Sequence, residues 1–146
     1  MNETQGTEII LHVYLLGDDP NMSRFHSLAP LGLGLYHSGV EINGYEFCYG
    51  GDVSNSGSGV MHLPPLTIQG AKYHCSYLMG VVNDSKLLYT ILEETRRQFI
   101  AKDYSLVSQN CNHFADALCQ RLLGKRIPSY INRLARMGSW CKFILP

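Results

Sequence analysis

The chain has 146 residues, of which 45% are hydrophobic and 16% charged, and twelve basic side chains balance twelve acidic ones. This composition predicts one compact domain over residues 1–146 rather than disorder, and a neutral chain has no overall field to attract nucleic acid. No segment reaches the ~20 consecutive apolar residues of a membrane helix, and the polar start, Met1–Gly6, lacks a signal-peptide pattern.

The cysteines of this chain are odd in number and have no C-x-x-C spacing. They are Cys48, Cys75, Cys111, Cys119 and Cys141. Secreted disulfide frameworks normally use an even count, so reduced thiols are expected. We therefore expect a cytoplasmic protein, with the nucleus as a second compartment.

The first half of the chain is dominated by strand patterns. Glu8–Leu16 is rich in aliphatic residues and predicts a buried strand, which the turn residues Gly17–Pro20 end. Residues 21–30 are compatible with a short helix. The strongest local signal is Tyr36–Tyr49, where two alternating runs flank Asn43–Gly44, a favoured two-residue hairpin turn.

The predicted hairpin turn determines which of its residues share a face. With Asn43 and Gly44 as the loop, Ile42 pairs with Tyr45, and His37 lies opposite Gly50. The face expected to join the core carries Tyr36, Ser38, Val40, Ile42, Tyr45, Phe47 and Tyr49. His37 is expected on the other face, together with Gly39, Glu41, Glu46, Cys48 and Gly50.

The middle of the chain predicts a glycine-rich loop, two further strands and a helix. Val60–Leu63 and Tyr73–Val82 read as strands, and Asp84 can cap a helix that runs to about Ala101. Tyr104–Val107 reads as a short extended piece. The apolar stripe of the helix is Leu87, Leu88, Ile91, Leu92, Phe99 and Ile100.

The last part of the chain predicts two more helices. The first begins after Asn110 and ends near Gly124, and a short second one runs from Pro128 to Gly138. Because strands come first and helices later, the order predicts an α+β fold: an antiparallel sheet with packed helices.

Cys111 follows a favoured N-cap residue, Asn110, and so lies in the first turn of a helix. The partial positive charge and free N–H groups of a helix start stabilise a thiolate and can hold an oxyanion. Helical spacing places Cys111 on the same stripe as Phe114, Ala115, Leu118 and Leu122, so its side chain is expected to point inward.

Residue types alone leave alternatives open. A cysteine on an apolar stripe can be an inert buried thiol, and spacing leaves open whether His37 reaches Cys111. His113 lies away from the stripe and is expected to be exposed, and Cys119 is expected to pack. A zinc site that uses Cys111, His113 and Cys119 would have spacings unlike those of known zinc fingers.

Four segments of the chain resemble the PPPDE peptidases, also called desumoylating isopeptidases. They are Tyr36–Ile42, Tyr45–Gly51, Asn110–Phe114 and Gly124–Leu134. The resemblance implies a circularly permuted papain-like fold, in which histidine precedes cysteine in the chain. It implies a cysteine peptidase that removes ubiquitin or a ubiquitin-like modifier such as SUMO from lysines.

The resemblance also implies roles for individual residues. It makes Cys111 the nucleophile and His37 the general base of a dyad, with no cofactor or metal. Beside the resemblance, the hairpin register makes Asp52 a diagonal neighbour of His37 and the candidate to orient the imidazole, and Gln109 and Asn110 are candidates to assist the oxyanion.

Three glycines near the predicted site suit a narrow cleft that admits a Gly-Gly tail: Gly39, Gly50 and Gly51. A bulky residue at Gly39 is expected to block cleavage while leaving the fold intact. The expected partners are conjugates of ubiquitin or a ubiquitin-like modifier, and a homodimer is left open. The alternatives are an S-acyl-protein thioesterase that uses the same dyad and a non-catalytic module that binds a modifier.

Overall fold

The structure, a computed structural model, describes residues 5–16, 35–50, 57–106 and 108–133. The strands are β1 (Thr7–Leu16), β2 (Tyr36–Ile42), β3 (Tyr45–Tyr49), β4 (Val60–Leu63) and β5 (Ala71–Val82). The α-helices are α1 (Ser85–Gln98) and α2 (Cys111–Leu123), and short 3-10 helices occupy Ala101–Asp103 and Ser129–Asn132. The predicted helix at residues 21–30 and the predicted helix end at Gly138 lie outside the described residues.

The five strands form one antiparallel sheet in the order β4-β3-β2-β1-β5. β1 is an inner strand, paired with β2 on one side and with the edge strand β5 on the other. Together with the two α-helices, this sheet confirms the predicted α+β class.

The β2–β3 hairpin has the predicted turn and the predicted register beside it. The predicted pairing of His37 with Gly50 is wrong, because the described ladder ends at Val40 and Phe47. Asn43 and Gly44 both have positive φ, 51° and 80°, as a type I′ turn requires, and Ile42 pairs with Tyr45. The predicted faces need two corrections. Tyr45 is 53% exposed because it flanks the turn, and the face of His37 also buries Glu46 and Cys48.

The core lies between the sheet and the two helices. α2 packs against β2, β3 and β5, and α1 packs against α2. Buried side chains from both layers meet there, including Ile9, Leu11, Val13, Val40, Leu88, Leu92, Phe114 and Leu118. This packing holds the N-terminus of α2 against the sheet.

The helices begin where their caps predict, with two corrections at α1. Asp84 accepts a hydrogen bond from the backbone N–H of Leu87, which caps α1. This helix ends at Gln98 rather than near Ala101, and Leu87 is 51% exposed rather than part of the buried stripe. Gly124 ends α2 in the left-handed region, with φ 67°.

The predicted extended piece at Tyr104–Val107 is a turn in its described part. Ser105 and Gln109 exchange backbone hydrogen bonds of 2.9 and 3.1 Å across it. This turn leads the chain into the N-cap of α2. None of the helices in the described ranges is long and apolar enough to span a bilayer.

Candidate active site

The candidate site lies where β2 and β3 separate. Their pairing runs from Ile42 opposite Tyr45 to Val40 opposite Phe47, and it goes no further within the described residues. In a continued ladder, the N–H of Ser38 would point toward β3 because N–H directions alternate along a strand. Instead, it faces the Sγ atom of Cys111 and acts to lower the pKa of that thiol. The first residue of α2 thus contacts the backbone of β2 immediately after His37.

Cys111 is a buried thiol surrounded by hydrogen-bond donors. It is 4% exposed, and the groups around its Sγ atom include the hydroxyl of Tyr104 and the backbone N–H of Ser38. Burial raises the pKa of Cys111, while each donor acts to lower it. The donors surround the position where negative charge would develop, which is typical of a nucleophilic thiol.

His37 is an imidazole held against Tyr14, its partner on β1. The two ring centroids are 5.7 Å apart, and the Nε2 atom of His37 is buried without a hydrogen-bond partner. Burial lowers the pKa of His37 to about 4. The imidazole is therefore neutral near pH 7, the form that a general base requires. Among the described contacts, no hydrogen bond joins it to Cys111.

The lowered pKa of His37 predicts a pH-dependent stability. The unfolded chain binds this proton near pH 6.5 and the folded chain only near pH 4, so folding stability falls as pH drops through that window. We expect wild type to lose roughly 2 kcal/mol more than His37→Gln between pH 7 and pH 4.5. Urea unfolding of both proteins at the two pH values measures this difference. Equal losses would show that burial does not perturb His37.

A pocket of about 320 Å³ opens beside His37. Most of its lining is apolar: Leu16, Cys48, Tyr49, Gly50, Met61, Leu63, Ile68 and Ala71 surround it together with His37 and Gln69. Cys111 is not among the described residues that line this pocket. Of the three predicted cleft glycines, Gly50 borders this pocket, and Gly51 lies outside the described residues, as does Asp52.

Gly39 does not border this pocket but lies beneath the side chain of Glu46. A Cβ atom at position 39 would lie 2.7 Å from the Cγ atom of Glu46. Glu46 is fully buried and accepts hydrogen bonds of 2.8 and 2.9 Å from the hydroxyl of Tyr14 and one of 3.1 Å from the N–H of Leu66. The expectation that a bulky residue at Gly39 leaves the fold intact is therefore corrected.

The side chain of Asn110 is fully engaged in capping α2. Its Oδ1 atom accepts from the N–H groups of Asn112 and His113, and its Nδ2 atom donates to Leu106 O and to Asn132 Oδ1. The oxyanion roles of Asn110 and Gln109 stay predictions.

His113 is not the exposed residue that helical spacing indicates. Its Nδ1 atom accepts from the N–H of Asn110, which completes a capping box, and its Nε2 atom lies 3.2 Å from the Nδ2 atom of Asn132. The 3-10 helix after α2 covers this side of the helix start, a tertiary contact that periodicity does not report. Cys119, by contrast, is buried in the core as predicted.

Two residues of the site were missed by sequence reasoning. The hydroxyl of Tyr104 lies at the Cys111 thiol and acts to lower its pKa, and Asn112 links α2 to β2 by side-chain hydrogen bonds. The second asparagine of Asn110-Cys-Asn112 was the available signal, since a buried amide at that position needs partners. In the part of the chain that the structure describes, no cluster of three metal-ligating side chains occurs.

A cysteine at a helix start, ringed by donors and placed beside a histidine-bearing strand, is the arrangement of a cysteine hydrolase. Comparison with known families agrees with this class. The family model of the PPPDE peptidase domain matches residues 7–146, and the chain belongs to this family.

Relatives extend across plants, fungi and animals. A DeSI-like protein of Arabidopsis thaliana is 37% identical over 141 residues, which cover 96% of this chain and 60% of the relative. A DeSI-like protein of Schizosaccharomyces pombe is 35% identical over 90% of this chain and 65% of the relative. Desumoylating isopeptidase 1 of Xenopus laevis is 28% identical over 92% of this chain and 78% of the relative. The chain thus spans less than two thirds of the length of the first two relatives.

Proposed function

We propose that this chain is a cysteine isopeptidase that removes SUMO or ubiquitin from substrate lysines, with Cys111 as nucleophile and His37 as base. The observation that carries the proposal is the position of the Cys111 Sγ atom, at the start of α2 and against the N–H of Ser38. The neutral, half-buried imidazole of His37 supplies the base. The frog relative is named a desumoylating isopeptidase, which supports SUMO as the modifier.

The proposed reaction needs only side chains of this chain and water. His37 takes the thiol proton as the Cys111 sulfur attacks the C-terminal carbonyl of the modifier. Asn110 caps the N–H groups of Asn112 and His113, so the N–H of Cys111, with Gln109 as a candidate helper, holds the oxyanion. The His37 imidazolium then protonates the leaving lysine amine. Water activated by neutral His37 finally hydrolyses the thioester and frees Cys111.

Both catalytic groups are neutral in the proposed resting site. Burial raises the pKa of Cys111 and lowers that of His37, so burial disfavours a thiolate–imidazolium pair. The ion pair would form as the thiol transfers its proton during attack, when the donors around the Sγ atom share the developing charge. This predicts a thiol that reacts slowly with small alkylating reagents in the absence of substrate.

The pocket beside His37 favours a second candidate function, hydrolysis of S-acyl thioesters on proteins. Apart from His37, the described side chains that line it are uncharged, and most are apolar. An acyl chain has the same character, and the reaction would use the same nucleophile and base. A thioester also has a better leaving group than an amide, so the chemistry is less demanding.

Covalent labelling by SUMO and by ubiquitin, each carrying a C-terminal electrophile, tests the first function. We expect one or both to label wild type and Cys75→Ala, but neither to label Cys111→Ala. Cys75 suits the control because it is a half-buried free thiol beside Tyr130, outside the site.

A second assay separates the candidate functions. If neither modifier labels wild type but a fluorogenic S-acyl substrate is hydrolysed in a Cys111-dependent way, the chain is a thioesterase. Loss of both activities, with retained binding of a modifier, would instead indicate the non-catalytic binding module.

A further inference from the structure

The buried side chain of Asn112 joins the helix that carries Cys111 to the strand that carries His37. Its Nδ2 atom donates to the carbonyl of Tyr36 at 2.9 Å, and its Oδ1 atom accepts from the hydroxyl of Ser38 at 2.6 Å. Tyr36 and Ser38 are the two chain neighbours of His37. One amide therefore holds the strand on both sides of the histidine.

The same amide also contacts the nucleophile. Its Oδ1 atom lies 3.8 Å from the Sγ atom of Cys111, within reach of the thiol proton. Asn112 is 3% exposed, and its Nδ2 atom also lies 3.4 Å from the carbonyl of Ile131. Its hydrogen-bonding groups are thus occupied by protein groups, with almost no solvent contact.

The hydrogen bonds of Asn112 reach the part of β2 that does not pair with β3. The described pairing of β2 with β3 ends at Val40, so at residues 36–38 the strand has β1 on one side and the start of α2 on the other. Pairing with β1 holds the strand within the sheet but does not set its distance from the helix. Direct side-chain hydrogen bonds from Asn112 do set that distance.

We propose that Asn112 is the positioning residue of the dyad, which sets the register between the His37 strand and the Cys111 helix start. This inference rests on the proposed function. Displacements of about 1 Å between reacting groups cost on the order of 100-fold in rate. Loss of the amide should therefore lower kcat rather than raise KM, because the side chain of Asn112 is buried and its hydrogen bonds are to groups of this chain.

Because the Oδ1 atom of Asn112 lies close to the sulfur, the proposal also predicts how a charge at this position changes the pH dependence of the thiol. A carboxylate in the same place would put negative charge within hydrogen-bonding distance of the sulfur, which disfavours the thiolate. Asn112→Asp should thus shift the pH dependence of Cys111 alkylation upward by about one unit. Asn112→Ala introduces no charge and should not shift it in that direction.

The experiment compares wild type, Asn112→Ala, Asn112→Asp and a control, Thr95→Val. Thr95 is fully buried and bonds the carbonyl of Ile91 in α1 and the side chain of Arg121. Its replacement also removes buried hydrogen bonds, but away from the dyad. Steady-state cleavage of a modifier fusion gives kcat and KM, and peptide-resolved alkylation gives the pH profile of Cys111. Urea unfolding confirms that each variant is folded.

We expect Asn112→Ala to lose at least tenfold in kcat at a similar KM, and Thr95→Val to keep wild-type kinetics at a comparable loss of stability. If folded Asn112→Ala keeps the wild-type kcat, or if Asn112→Asp leaves the alkylation profile unchanged, the proposal is wrong. If wild type cleaves no modifier, the isopeptidase function fails, and the alkylation profiles still decide the role of Asn112.

Discussion

Replacement of Cys111 by alanine is expected to abolish cleavage of a modifier conjugate, with a fall in kcat/KM of at least ~1,000-fold. The sulfur is the only protein atom in the proposed mechanism that forms a bond to the substrate carbonyl. His37→Ala should lose activity on the same scale, because the raised pKa of the buried thiol leaves it protonated without a base. Steady-state cleavage of a fluorogenic modifier amide measures both losses.

Controls for this prediction are Cys75→Ala and the double variant of the two dyad residues. Cys75→Ala should keep wild-type kcat/KM. The double variant should be about as inactive as either single variant, since the two groups act as one unit and their effects are not additive. Substantial residual activity in Cys111→Ala would exclude Cys111 as the nucleophile.

Replacement of Gly39 by alanine is expected to lower the free energy of unfolding by about 2–4 kcal/mol. The added methyl group would lie 2.7 Å from the Cγ atom of Glu46, closer than packed carbon atoms come. Glu46 cannot move freely because it is fully buried and bonded to Tyr14 and Leu66. Denaturant unfolding monitored by far-ultraviolet circular dichroism measures the change.

Gly50→Ala is the matched control for this steric argument. There, the nearest atom to the added methyl group is the flexible end of Met61, at 3.3 Å, so we expect a change below about 1 kcal/mol. Equal stability of the two variants would mean that Glu46 rearranges at little cost. In that case the sequence-based view of Gly39 as a cleft residue would again be tenable.

Local signals in the sequence explain which features of the site could be predicted, and tertiary contacts explain which could not. The helix start at Cys111 could be predicted because an N-cap asparagine and an apolar stripe are local signals. Both are present in the structure. The hairpin register was readable because Asn43–Gly44 selects one turn geometry. The exposure of His113 was misjudged because the segment that covers it, near Asn132, arrives from further along the chain.

The sequence by itself determined the local features: the strands, the helix caps, the hairpin and the burial of Cys111. It did so because turn chemistry, capping and hydrophobic periodicity act over a few residues. Only the tertiary structure decided that β2 and β3 separate at Ser38, that Tyr104 and Asn112 contact the thiol, and that Gly39 lies beneath a buried carboxylate. The geometry of these contacts depends on how the helix start packs on the sheet and on how buried side chains fill the space between strands, which no local pattern encodes.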